Sequence, residues 1–399
     1  MEMNYPKSRI CSNQNTSELI IKGQGVFVFS CELDEKSVEF DIVNDMKEGY
    51  HIVMTTDDVR VTCIDPLADP SNNSGLINLK GAYYWFSLDS QNQQLYAGVG
   101  ECRLETVIYR YKFPQMDNKK FLESLHTINF SEKIKPIRML RDPITLNIPM
   151  IVKSSNEITM ESIAKGLHMP KANLSSMAQK LHNCIAGENF VLDTDDFPDF
   201  SKAIEASIAS PDGWCYKKIL DKSREFSKDK PNILETYLRI TLGQNNGESP
   251  GIPYVMEIWP PNHYSPIHNH AGAEAIIRVL HGSINVSLYP FLCGDKDMIK
   301  KFTDVDFIKD DITWISATLN QTHKLENLDP TTTCVTIQCY MYDKWDKSHY
   351  DYFDYIDNNG DIQQYEPDSD MDFLDFKDRM KKEWAARKQS KSLFSCFSC

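Results

Sequence analysis

Residues 254–282 read Tyr254-Val255-Met256-Glu257-Ile258-Trp259-Pro260-Pro261-Asn262-His263-Tyr264-Ser265-Pro266-Ile267-His268-Asn269-His270-Ala271-Gly272-Ala273-Glu274-Ala275-Ile276-Ile277-Arg278-Val279-Leu280-His281-Gly282. Two runs of apolar and β-branched residues flank a polar, proline-punctuated segment, a pattern that predicts strand, connection, strand. In extended chain, residues i and i+2 project to one face, so His268 and His270 can share a cation. By itself an H-x-H is a weak signal. His323, in Gln321-Thr322-His323-Lys324-Leu325-Glu326-Asn327, is the candidate third ligand, and it lies just before another apolar run at 334–340.

Outward from this core the pattern stays β-rich over 236–342. Upstream the period changes: Leu174, Met177, Leu181 and Ile185 fall at helical spacing, and Phe200, Ile204 and Ile208 repeat it before Pro211-Asp212-Gly213. Two short helices followed by many strands predict a small β-barrel with an α-helical preamble. Over 17–113, runs such as Val26-Phe27-Val28-Phe29 and Tyr50-His51-Ile52-Val53-Met54 sit between Asn, Asp, Gly and Ser, as in an antiparallel β-sandwich. The prolines at 114, 136, 143, 149 and 170 predict a linker and packing segment between the two. The expected class is therefore mainly β: a sandwich-like domain over 1–115, a linker over 116–170, a barrel domain over 171–345 and a tail over 346–399.

A formal charge of -14, from 43 basic and 57 acidic residues, argues against nucleic acid as a partner, because phosphate binding needs a basic surface. Residues 1–10 are polar and no run of about 20 apolar residues occurs, so neither a leader nor a spanning helix is expected. The 11 cysteines are odd in number and scattered, which suits reduced thiols and a cytoplasmic setting better than a disulfide framework.

The stretch from Trp259 to His270, Val279-Leu280-His281-Gly282, and His323 with Asn327 four residues on together resemble the two cupin motifs of the cysteine dioxygenase family, over about 171–345. That resemblance implies an iron-dependent oxidoreductase that adds both atoms of O2 to the sulfur of cysteine or a close amino thiol. It implies Fe(II) on His268, His270 and His323, with open positions for the small-molecule thiol and for O2. It also places Arg239 as the guanidinium that pairs with a substrate carboxylate, Tyr237 at the pocket wall, and Tyr340 as the catalytic hydroxyl beside the iron.

Three positions depart from that pattern. The cysteine that animal members cross-link to the tyrosine falls at Ala275, so no thioether to Tyr340 forms from there. The histidine that holds the tyrosine hydroxyl is Gln338 and a neighbouring serine is Thr336; an amide can donate or accept but cannot relay a proton as imidazole does. Glu274 lies near the slot where many cupins add a glutamate ligand, but counting back from Gly282 puts that slot at Ala275, and strand alternation turns Glu274 away. These departures keep open a second reading, a catalytically degenerate cupin that binds a metal or ligand as a sensor or scaffold.

Within the N-terminal part, Tyr83-Tyr84-Trp85-Phe86-Ser87-Leu88-Asp89 followed by Leu95-Tyr96-Ala97-Gly98-Val99-Gly100 resembles the farnesoic acid O-methyltransferase-like domain over about 17–113. No glycine-rich methyl-donor loop accompanies it, so the expectation is an accessory module for another protein or ligand. At the far end, the acidic, tyrosine-rich stretch 351–372 is expected to be loosely ordered. Basic residues then precede Cys396-Phe397-Ser398-Cys399, an arrangement that suits prenylation or palmitoylation of Cys396 or Cys399 and peripheral membrane contact. The alternative is a tail whose cysteines do nothing.

Overall fold

The computed structural model describes residues 7–11, 15–31, 37–55, 59–63, 71–72, 82–113, 119–243, 254–294, 299–342 and 352–396. The chain divides into two compact units, 1–147 and 148–399.

Unit one is built from two six-stranded antiparallel sheets. Aromatic rings from Phe27, Phe29 and Phe86 in one sheet meet Phe40 and Phe130 in the other, and Tyr84 packs on Phe29 within its own sheet, so the core is the sandwich filling that the alternating pattern predicts. The boundary differs from expectation. Thr127–Phe130 and Ile134–Leu140, assigned to the linker from their prolines, are interior strands of the two sheets. Pro136 is accommodated because the ladder shifts register between Pro136 and Arg138, so the ring's missing N–H falls at a bulge.

Unit two begins at Ile148 and contains the β-rich core. Its larger sheet runs in the order Ile312–Ile315, Glu274–His281, Cys334–Met341, Tyr254–Trp259, Leu238–Gly243, Met371–Asp372. Ser283–Leu288 pairs with Thr303–Ile308 and His323–Glu326 to form a second sheet. Between them lies an apolar filling that includes Trp259, Val279, Ile284, Val286, Leu288, Phe307 and Leu325. The result is a cupin-like barrel. Gly282 makes the turn between two of its strands at φ 70°, and a Cβ there would meet the Thr333 carbonyl at 2.6 Å.

The outer face of the larger sheet is covered by helices. Ser176–Ile185 starts at an N-cap, Ser175, whose side chain accepts from the Ala178 N–H, and it buries Leu181 and Ile185 in one cluster with Ile276, Ile337, Cys339 and Met341. Phe200–Ile208 follows as expected, and the Pro211-Asp212-Gly213 turn opens a third helix, Trp214–Asp221, that the periodicity did not separate.

Past Tyr342 the expectation of a loose tail is overturned. Phe353–Ile356 and Ile362–Tyr365 form a hairpin, and Met371–Asp372 adds a parallel strand beside Leu238–Gly243. The helix Phe373–Cys396 then buries Phe376 and Met380 against Phe200 and Cys215. Its basic face meets the loop before Phe200–Ile208: Lys377 and Lys381 pair with Asp196, and Lys388 with Asp199. Apolar side chains at helical spacing let this segment pack. Of the acidic residues that suggested looseness, the Asp370 side chain is buried and pairs with Lys222. Cys396 ends that helix, and Cys399 lies outside the described residues. Among the described residues no helix is long and apolar enough to cross a membrane, and no disulfide forms.

Candidate metal centre

Strand alternation decides what enters the barrel. In Leu238–Gly243, Leu238 and Ile240 join the outer core while Arg239 lines the cavity; in Tyr254–Trp259, Met256 and Ile258 point out while Glu257 and Trp259 point in. Cys334–Met341 repeats the rule, with Val335, Ile337, Cys339 and Met341 outward and Gln338 and Tyr340 lining the cavity. Tyr237, His268, His270 and His323 line it too, so the six residues given a site role from sequence, these four with Arg239 and Tyr340, share one cavity.

Ligating atoms of His268, His270 and His323 all lie within 4.8 Å of one another. Paired backbone bonds between His268 and His323, N to O at 3.0 and 2.9 Å, hold the two chain segments together. His268 Nδ1 lies 3.1 Å from the Pro266 carbonyl and His323 Nδ1 lies 3.1 Å from that of Asn320. A carbonyl only accepts, so each Nδ1 carries the proton and each Nε2 keeps a lone pair. His270 Nε2 sits 3.0 Å from His323 Nε2, and His270 Nδ1 has no hydrogen-bond partner among the described residues. Burial lowers the pKa of His268 to about 4 and drives those of His270 and His323 well down, leaving neutral imidazoles. Neutral imidazoles that converge on one point, two of them oriented by backbone carbonyls, fit a divalent transition metal. Three protein ligands leave coordination positions open, as a catalytic site requires.

Glu274, read as a non-ligand, is outside this cluster; its carboxylate accepts from the Ser175 hydroxyl. Ala275 is the register partner of Tyr340, with no sulfur to cross-link. Tyr340 stacks on His270 with ring centres 5.3 Å apart, and its hydroxyl donates to Gln338 Oε1. Burial holds that phenol well above its usual pKa, so it stays a donor. Gln338 therefore takes over the task of holding the hydroxyl, and its Nε2 donates onward to Glu257.

Glu257 is the residue the sequence reading missed. It is the register partner of Arg239, both are 3% exposed, and Arg239 Nη1 donates to Glu257 Oε1 at 3.0 Å. Burial lifts its carboxyl to about 7, with Arg239 pulling the other way. A lone carboxylate inside the apolar run 254–259 was the available signal, since such a group is rarely buried without a partner.

The C-terminal hairpin supplies a second group that was missed: Phe353, Tyr355 and Tyr365 also line the cavity. The Asn269 N–H donates to Asp354 and the Ile356 N–H to Ile267, which docks the hairpin onto the H-x-H segment. Asn359-Gly360, between alternating aromatic and polar residues, was the legible turn signal. Tyr237 stacks on Trp259 at 4.2 Å. With these walls in place the cavity measures about 20 Å³, enough for roughly one water.

No family model matches the sequence. Among solved structures the chain is similar to a cupin domain from Schizosaccharomyces pombe, at 11% identity over 27% of this chain and 65% of that one, TM-score 0.20. The aligned part is thus a little under two thirds of that domain's chain. A cupin superfamily protein from Desulfitobacterium hafniense matches at 11% identity over 27% of this chain and 79% of that one, TM-score 0.19. Oxalate oxidase in complex with the substrate analogue glycolate matches at 15% identity over 27% and 50%, TM-score 0.21. Scores this low carry no argument about chemistry; the cupin-like barrel rests on its strand pairings and inward parity.

Proposed function

We propose that this protein is an iron-dependent thiol dioxygenase that converts a small amino thiol and O2 to the sulfinic acid. The observation that carries the reading is the convergence of His268, His270 and His323 in one cavity with Arg239, Tyr237 and Tyr340. The reaction balances without a further reductant: RSH and O2 give RSO2H, the sulfur losing four electrons and the two oxygen atoms gaining them. Bound iron supplies a Lewis acid that favours thiolate over thiol and a centre at which O2 is activated.

The chain's own residues do the rest. The His268 and His323 Nδ1–H groups, tied to backbone carbonyls, orient both rings. Gln338 Oε1 accepts the single Tyr340 hydroxyl proton and so holds that oxygen at the cavity wall; donation to a developing oxyanion would require the proton to turn away from Gln338. Phe353, Tyr355 and Trp259 keep bulk water out. The sandwich unit is proposed as an accessory binding module, and Cys396 and Cys399 as lipidation sites.

A metal- or ligand-binding cupin without turnover is the second reading, favoured by the small cavity and by the commitment of Arg239 to Glu257. Oxygen uptake by iron-loaded protein with thiols, mass spectrometry for the sulfinate and a His268→Ala control separate the two. Sulfinate formed by the unmutated protein alone supports the dioxygenase. No uptake with any amino thiol leaves the binding protein.

A further inference from the structure

Arg239 reaches the cavity already charge-paired, although its buried Nε has no hydrogen-bond partner among the described residues. Its Nη1 is held by Glu257 Oε1 at 3.0 Å, and the second carboxylate oxygen is held by Gln338 Nε2. Glu257 cannot swing aside easily: it lies mid-strand between Leu238–Gly243 and Cys334–Met341, paired on both edges, and is buried. A second cation nearby, Lys222, is engaged by Asp370 and Glu225.

A carboxylate-bearing substrate can reach the unpartnered Nε of Arg239 only by sharing one guanidinium with Glu257. Two carboxylates then stand beside a single positive charge, a like-charge crowding that is costly in a water-poor cavity. A donor group has no such difficulty, because each Glu257 oxygen keeps a lone pair beyond the bond it already accepts. A divalent cation on the three histidines adds positive charge to the same cavity and so favours the ionised form of Glu257.

We infer, resting on the thiol-dioxygenase reading, that the substrate is a small amino thiol without a carboxylate, and that Glu257 is the specificity-determining residue that turns carboxylate-bearing thiols away. Arg239 then acts as the positioning residue for Glu257 instead of as the receptor for a substrate anion.

The test is anaerobic calorimetric titration of the full-length, Fe(II)-loaded protein with 2-aminoethanethiol, L-cysteine and L-cysteine methyl ester, with sulfinate formation in air as a second readout. The amine and the ester are expected to bind at least ~10-fold more tightly than L-cysteine, and Glu257→Gln to shrink the gap below ~3-fold. The comparison of cysteine with its ester needs no variant, so a poorly folding Glu257→Gln does not blunt it. L-cysteine binding as tightly as its ester overturns the inference alone, as does an unchanged gap in folded Glu257→Gln. Binding of no thiol by protein that holds the metal overturns the dioxygenase reading and this inference with it.

Discussion

Arg239 and Glu257 face each other across neighbouring antiparallel strands and form an ion pair inside the barrel, Nη1 to Oε1 at 3.0 Å, with both side chains buried. Their backbone register makes the contact nearly obligatory: inward-facing partners on adjacent strands stand within side-chain reach. The pair includes the arginine that the resemblance to cysteine dioxygenase implied as a receptor for a substrate carboxylate. Its stability and its chemistry are therefore coupled.

Breaking the pair from one side should be expensive. Glu257→Leu leaves a buried guanidinium without its counter-charge and is expected to cost about 3–5 kcal/mol, whereas Arg239→Met with Glu257→Leu should recover most of that. Urea unfolding of the three proteins checks it; a double variant no more stable than the single would refute the account.

Metal on the three histidines should stabilise the fold. At a free iron concentration ~100-fold above Kd, the gain of about 2.7 kcal/mol corresponds to a rise in Tm of roughly 5–10 °C. His270→Ala is expected to lose both the bound iron and the rise. Thermal scans with and without chelator, beside elemental analysis, test this. An equal shift in the variant would place the metal elsewhere.

His182, on the buried face of the helix Ser176–Ile185, links stability to pH. Burial, helped by Lys171, pulls its pKa from 6.5 to about 4. The unfolded chain therefore binds more protons than the folded one between pH 6.5 and 4, so this group's contribution is complete above that window and is lost as pH falls through it. The slope reaches at most about 1.4 kcal/mol per pH unit. Unfolding at pH 7, 6 and 5 should show a shallower decline for His182→Asn than for the unmutated chain. Parallel declines would exclude His182 as the cause.

The C-terminal helix should behave as part of the barrel unit. Met380→Ala empties space beside Cys215 and is expected to cost about 2–5 kcal/mol. Asp196→Asn, which weakens pairs with Lys377 and Lys381 at a carboxylate that is itself exposed, should cost under ~1 kcal/mol. Equal effects in chemical denaturation would mean that the helix is held by charge and not by packing.

Much of the site was legible because it obeys period two. His268 and His270 share a face by spacing alone; Arg239, Gln338 and Tyr340 were reached through the resemblance to cysteine dioxygenase, and in the structure they fall on inward positions of their strands. Glu257 was equally visible on that parity, yet a carboxylate within an apolar strand acquires meaning only when its partner is known. The linker prolines misled because Pro136 sits at a bulge, a feature defined by the opposite strand. The hairpin at 353–365 was hidden by its acidic composition, yet its aromatic residues Phe353, Tyr355 and Tyr365 wall the three-histidine cavity.

The sequence alone therefore determined a mainly β protein with a sandwich and a barrel, and three histidines able to meet, since alternation and imidazole chemistry are local properties of the chain. Only the tertiary structure decided that Arg239 answers to Glu257, that Gln338 carries the Tyr340 hydroxyl, and that residues beyond 352 close the barrel. Each of these depends on register between strands far apart in sequence, which is set by the packing of the whole barrel and by no single segment within it.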